Sequence, residues 1–274
     1  MSRSIYTLMT PHKAQKRFGQ NFLDDPAAIL QIIACIQPQR HECLIEIGPG
    51  LGALTRPLLE AVDHLHVIEL DRNLIPKLQQ LAPPQHLSIH AQDALRVQLD
   101  SMPMLGHEAL PGQKIRLIGN LPYNIATALV FHFLAEVERI EDMHFMFQKE
   151  VADRLVAKAG DPAYGRLSVM TQYYCYNERL FDLSPSSFHP SPKVFSTLVR
   201  LRPHATLPAV ATHFGTFEQI VRSAFNQRRK TLKNTLSPYL SAEALVACGI
   251  DPKQRPEQLT VADFVRLANC VGIV

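Results

Sequence analysis

The sequence predicts an α/β protein: a mostly parallel sheet with helices on both faces, followed by a small all-helical segment. Three observations lead there. Short apolar runs and helical stretches alternate from Pro26 to Leu183. The turn Gly48-Pro49-Gly50-Leu51-Gly52 directly follows the first of those runs, where a parallel strand would feed a helix. The last two apolar runs are joined only by Ser184 to Pro192, too short a link for a crossover helix, so they should pair antiparallel.

Taken in order, residues 1–12 lack apolar periodicity and are expected to form a flexible tail. Lys13, Lys16 and Arg17 then lead into Phe18-Gly19-Gln20-Asn21-Phe22-Leu23. Asp24-Asp25-Pro26 reads as a helix start, a capping Asp followed by Pro at the first helical position, with Ile29, Leu30, Ile32, Ile33 and Ile36 as the apolar face. Strands are expected at Cys43–Ile47, Leu65–Leu70, Leu87–His90, Ile115–Ile118, His144–Phe147, Leu180–Leu183 and Val194–Leu201, seven in all. Pro203 and Pro208 mark a break. Beyond it Phe217, Ile220, Val221, Ala224 and Phe225 recur at helical spacing, and Ala242–Ala247 and Val261–Ala268 also read as helices. The expected organisation is a tail over 1–12, a sheet domain over 13–203 and a helical domain over 204–274.

A chain of 274 residues, 46% hydrophobic, can bury a full α/β core and a second small one. No apolar run approaches the length of a membrane span, and no secretory signal is legible, so a soluble, cytoplasmic protein is expected, with a monomer as the default. Cys35, Cys43, Cys175, Cys248 and Cys270 lack paired spacing and are expected to be reduced thiols. The histidines are scattered too, and no metal is expected.

The net charge of +3 is unevenly spread: basic and acidic residues balance over 1–203, whereas 204–274 holds eight Lys and Arg against five Asp and Glu. Phe225-Asn226-Gln227-Arg228-Arg229-Lys230-Thr231-Leu232-Lys233 concentrates that excess. If it were one helix, Arg222, Arg229 and Lys233 would share a narrow arc, and a phosphate backbone is a better partner for Arg222, Arg228, Arg229, Lys230 and Lys233 than bulk water.

The glycine turn lets main chain approach a ligand, but its G-x-G-x-G spacing is not the phosphate-binding fingerprint, and a tight structural turn is an equal reading in isolation. Glu69 ends the second strand at the place where an acidic side chain grips a ribose diol; Asp71, just before a helical stretch, reads better as a cap. Asp93, at the end of the third strand, would accept from an adenine amino group, and as a member of this series it is read as a ligand residue rather than a mere turn. Gly119-Asn120-Leu121-Pro122-Tyr123 closes the fourth strand. An exocyclic amine offers two N–H donors and a flat ring, so Asn120 Oδ1 and the Leu121 carbonyl can accept while Tyr123 stacks. Together these point to a methyl donor's pocket facing an adenine amine. Phe188, in a proline-rich loop, could equally pack or stack on a base.

These motifs, with Gln20 to Leu23, Val67 to Asp71, Phe147 to Val151, Tyr164 to Val169, Pro192-Lys193-Val194 and Phe225 to Lys230, resemble the bacterial small-subunit ribosomal RNA adenine N6,N6-dimethyltransferases over nearly the whole chain. The sheet resembles that of class I, Rossmann-like methyltransferases. The resemblance implies S-adenosylmethionine held by Asn21, Leu23, Gly48, Glu69, Asp93 and Asn120, with Asn120, Leu121, Tyr123 and Phe188 around the reacting base. It implies as substrate two adjacent adenines in a hairpin near the 3′ end of 16S rRNA, within the assembling small ribosomal subunit, with the tail as the docking part. Phe147 stands where an aliphatic residue is common, and Gly160-Asp161 lies in a variable tip; neither touches the expected chemistry. Competing readings are the large-subunit adenine dimethyltransferases, whose tail differs, a DNA adenine methyltransferase, and an assembly factor that acts by binding.

Overall fold

The computed structural model describes residue 15 and residues 19–102, 113–227 and 229–271. The expected tail over 1–12, Lys13, Lys16, Arg17 and Arg228 lie outside those residues.

Apolar runs with both faces covered become central strands. β2 (Cys43–Ile47), β3 (Leu65–Ile68), β4 (Leu87–His90), β5 (Ile115–Asn120) and β6 (Ile140–Gln148) run parallel in the order β4-β3-β2-β5-β6. The sheet continues with β9 (Ser196–Pro203), antiparallel to β6, and then β7 (Cys175–Leu183), antiparallel to β9. The short proline-rich link thus does return the chain antiparallel, slotting β9 between β6 and β7. Two of the four strands read as four residues long, His144–Phe147 and Leu180–Leu183, each extend over nine residues, because interstrand pairing recruits polar residues that carry no apolar period.

Alternation along β2 divides the core in two. Ile45 and Ile47 join Leu117, Phe145 and Phe147 beneath α4 (Ala126–Leu134) and α5 (Lys149–Val156). Leu44 joins Leu65, Val67, Ile118 and Met146 beneath α1 (Pro26–Ile36) and α2 (Thr55–Ala61). The start of α1 is capped as the sequence suggests: Asp25 accepts from Ala27 N at 3.0 Å and Ala28 N at 3.3 Å. Its other oxygen accepts from Ser187 Oγ at 2.8 Å, tying α1 to the proline-rich loop. The same region holds a two-stranded ladder that the sequence does not announce, β1 (Phe22–Leu23) against β8 (Phe188–His189).

The tail helices are α7 (Phe214–Phe225), α8 (Leu232–Thr235), α9 (Ala242–Ala247) and α10 (Val261–Cys270). Their core of Phe217, Ile220, Val221, Leu232, Leu236, Leu245 and Phe264 also takes in Tyr164 and, from α6 (Arg166–Tyr174), Val169, Met170 and Tyr173. Two expectations need correction here. The basic segment is not one helix: α7 ends at Phe225 and α8 begins at Leu232. Leu232 and Leu236 are drawn into the tail core, and the first N–H groups of α8 find carbonyls in another loop, Leu232 N to Gln254 O at 2.9 Å and Lys233 N to Pro252 O at 3.0 Å. Cys248 and Cys270, expected as thiols, are bonded to each other, joining the end of α9 to the end of α10; sequence spacing cannot reveal a pair made by two helices folding together. Cys35, Cys43 and Cys175 form no disulfide.

Candidate active site

Strand order reverses between β2 and β5, the place where open α/β sheets leave a crevice beyond their carboxyl ends. A cleft of ≈ 370 Å³ opens there, a size suited to a small organic ligand. Its walls come from the carboxyl ends of the strands and the segments that follow: Glu46 to Leu51 at β2, Ile68 to Leu70 at β3, Gln92 to Leu95 beyond β4 and Asn120 to Ile125 at β5. Residues 19–23 close the remaining side.

Two glycines make this geometry possible. Gly48 sits at φ +67°, and a Cβ there would meet nothing within 4 Å, so bare main chain borders open space. Gly119 has the opposite need: a Cβ would stand 2.6 Å from the Ile47 carbonyl, so only hydrogen permits β5 to lie this close to β2 just before Asn120.

Glu69 is 6% exposed and locks the glycine turn to the end of β3. One oxygen accepts from Gly50 N at 3.2 Å and the other from Asp71 N at 2.8 Å. Each oxygen keeps a lone pair, which fits the side chain to accept from two neighbouring hydroxyls. Burial raises its pKa, and the two main-chain bonds oppose that rise. Beneath it Glu46 is 2% exposed and takes a 2.6 Å bond from Thr55 Oγ1. Burial, reinforced by the nearby Glu69 charge, pushes Glu46 up to about 8, so it carries its proton at neutral pH. Asp93 lines the cleft while its Oδ1 accepts from Leu95 N at 3.0 Å, so the turn role and the cleft position coincide in one residue.

Asp71 is a cap of a smaller kind than expected. Its Oδ1 accepts from Asn73 N at 3.1 Å, organising the turn ahead of the single-turn helix α3 (Ile75–Leu78). Its Oδ2 accepts from Gln20 Nε2 at 3.1 Å and Gln15 Nε2 at 3.0 Å, and so tethers the segment that walls the cleft. The role of Gln20 had no signal in the sequence beyond its nearness to Asn21.

At the end of β5, Asn120 Nδ2 donates to the Asn21 carbonyl at 2.8 Å. A carbonyl can only accept, so the amide's nitrogen must face Asn21 and its oxygen must turn the other way. Leu121 and the half-buried Tyr123 follow along the same wall. Burial lifts the Tyr123 phenol above its usual pKa, opposed by a 2.6 Å bond with Ser196 Oγ.

All of Asn21, Leu23, Gly48, Glu69, Asp93, Asn120, Leu121 and Tyr123 therefore border one cleft. Phe188 does not. It is 3% exposed, pairs with Leu23 across the β1–β8 ladder and packs into the core under α1, so it supports the wall rather than the cavity. The tail cations are dispersed: Arg222 on α7, Arg229 and Lys230 in the turn, Lys233 on α8, all exposed and none in an ion pair with a described carboxylate. Among the described residues no group of His, Cys, Asp and Glu is arranged to hold a metal, and no helix is long and apolar enough to cross a membrane.

Comparison with known proteins adds three findings. A family model described as ribosomal RNA adenine dimethylase matches residues 11–272. The chain is 50% identical over 262 residues to a ribosomal RNA small subunit methyltransferase A from Marinomonas sp. (strain MWYL1), covering 95% of this chain and 96% of the relative. Among solved structures, a dimethyladenosine transferase from Plasmodium falciparum superposes with TM-score 0.75 at 23% identity, over 90% of this chain and 95% of that one. A 23S rRNA methyltransferase, ErmE, does so with TM-score 0.70 at 24% identity, over 92% and 99%; these two share the fold.

Proposed function

The chain belongs to the ribosomal RNA adenine dimethylase family, and we propose that it methylates N6 of two adjacent adenines in a hairpin near the 3′ end of 16S rRNA. The product is N6,N6-dimethyladenosine, and the setting is maturation of the small ribosomal subunit in the cytoplasm. The observation that carries the reading is Asn120, whose oxygen is turned away from its Asn21 anchor at the mouth of a cleft on a methyltransferase sheet.

Bound S-adenosylmethionine would supply an electrophilic methyl group. Each transfer forms an N–CH₃ bond as the sulfur–methyl bond breaks, and one amine proton leaves to water. The chain's residues fit such a donor: an open glycine main chain at Gly48, a carboxylate at Glu69 held with lone pairs to spare, and Asp93 farther along the wall. Asn21 and Leu23 close the near side, with Asn120 between donor and base. No acid or base catalyst is needed for the chemistry itself. Asn120 Oδ1 and the Leu121 carbonyl accept the amine hydrogens, which favours a pyramidal nitrogen as its lone pair attacks, and Tyr123 stacks on the extruded ring. Phe188 acts from beneath by fixing β1. The helical tail, with Arg222, Arg228, Arg229, Lys230 and Lys233, serves as the surface for rRNA phosphates, and the working unit is a monomer.

The deciding experiment is methyl incorporation from labelled S-adenosylmethionine into undermodified small subunits, large subunits and naked RNA, followed by nucleoside analysis. Dimethyladenosine confined to small subunits is the expected result. Label in large subunits would transfer the protein to the large-subunit adenine dimethyltransferases, and none anywhere would leave an assembly factor that acts by binding.

A further inference from the structure

The ring of Tyr123 is anchored at both ends. Its main chain leaves β5 through Pro122, whose carbonyl accepts from Ile125 N at 3.1 Å and Ala126 N at 3.0 Å and so begins α4. Its phenol oxygen lies 2.6 Å from Ser196 Oγ. Ser196 is itself immovable: it is 0% exposed, opens β9, and is paired with Gln148 of β6 on one side and Leu183 of β7 on the other. The adjoining bond from Lys149 N to Phe195 O, 2.9 Å, closes the same corner.

We infer that Ser196 is a positioning residue, fixing the plane of Tyr123 so that the second methyl can be placed on a nitrogen that already carries one. The inference rests on the adenine chemistry proposed above. A primary amine is oriented by two N–H donors, to Asn120 Oδ1 and the Leu121 carbonyl, and by the stacked face of its ring. After the first transfer one donor has been replaced by a methyl group. Only one hydrogen bond remains, so the stack carries a larger share of the alignment on which attack depends. A Tyr123 ring free to tilt therefore harms the second transfer more than the first. Atoms balance identically in the two steps, so alignment is what distinguishes them.

The test is the ratio of N6-monomethyladenosine to N6,N6-dimethyladenosine formed on undermodified small subunits by wild type, Ser196→Ala, Tyr123→Phe and the double variant, with KM for the particle measured alongside. Each single variant should raise the ratio about fivefold, roughly the factor that one neutral hydrogen bond commands. KM should stay within about twofold of wild type, since the bond is not a docking contact. The double variant should match the singles, because both changes remove the same bond. An unchanged ratio in Tyr123→Phe, or equal slowing of both transfers, overturns the inference. Should Ser196→Ala fail to fold, Tyr123→Phe decides alone, since it alters only the half-buried phenol. Failure of the underlying adenine reading would look different: wild type itself would make no dimethyladenosine on small subunits.

Discussion

Removing the Asn120 amide is the most direct test of the site. One N–H of Asn120 Nδ2 is held by the Asn21 carbonyl at 2.8 Å, which fixes the amide and turns Oδ1 away from Asn21 as the side chain's acceptor. On the proposed mechanism Asn120→Ala deletes a preorganised partner of the reacting nitrogen, and groups of that kind are worth about 10²- to 10³-fold in kcat. It also strips the Asn21 carbonyl of its donor, a cost of about 1 kcal/mol in stability at this half-buried position. The expected outcome is a fall of roughly 10²- to 10³-fold in methyl incorporation, a small drop in melting temperature, and particle binding close to wild type. Asn120→Asp sharpens the test. It keeps an acceptor, but a carboxylate cannot donate to Asn21 O, so the side chain loses the bond that aims it and should fare no better than Ala. Labelled methyl transfer to undermodified small subunits, with binding followed separately, reads both. Turnover of either variant within about tenfold of wild type would refute the reasoning.

Three other perturbations follow from the geometry. Gly119→Ala should cost about 3 kcal/mol in chemical denaturation, because its Cβ would meet main chain, the Ile47 carbonyl at 2.6 Å, and a loss below about 1 kcal/mol would show that β5 can shift freely. Glu46, raised to about 8, binds a proton in the folded protein that the unfolded chain has released above its ordinary pKa, so it makes stability fall as pH rises from about 4.5 to 8. His66 acts with the opposite sign on the other side: burial against His64 and His90 lowers it to about 3, the unfolded chain takes up the proton first, and stability drains away as pH falls from 6.5 towards 3. Melting curves of Glu46→Gln should therefore lose the alkaline decline while keeping the acid one, and an unaltered alkaline limb would contradict the assignment. Arg229→Gln with Lys230→Gln should weaken particle binding and flatten its salt dependence by about two units of slope, one for each cation removed, while donor binding is untouched; an unchanged slope would remove these residues from the RNA surface.

How much of this could be read from the chain depended on the range of the interaction. Strands wrapped in helices announce themselves as apolar runs, so β2 to β5 and the residues at their ends, Gly48, Glu69, Asp93 and Asn120, were legible from sequence. The ladder of Phe22–Leu23 with Phe188–His189 was not, since two-residue strands have no period, and that ladder is what draws Phe188 into the core. Ser196 carried no signal, because its role exists only once β9 slots between β6 and β7. The break between α7 and α8 was hidden for the same reason. Helical spacing continues through Lys233, but the donors of the new helix are met by Pro252 and Gln254, which only folding brings near.

The shared core around α6 bears on how such proteins can be recombined. Tyr173 packs 4.7 Å from Phe217 between ring centroids, and Arg166 pairs with Glu218 at 2.9 Å, so part of what shields α7 is encoded ahead of β7. A tail swapped between relatives at the proline break would arrive without its own lining. A well-packed chimera has to carry residues 157–174 along with residues 204–274, so the core of the tail is encoded by two separate stretches of the gene.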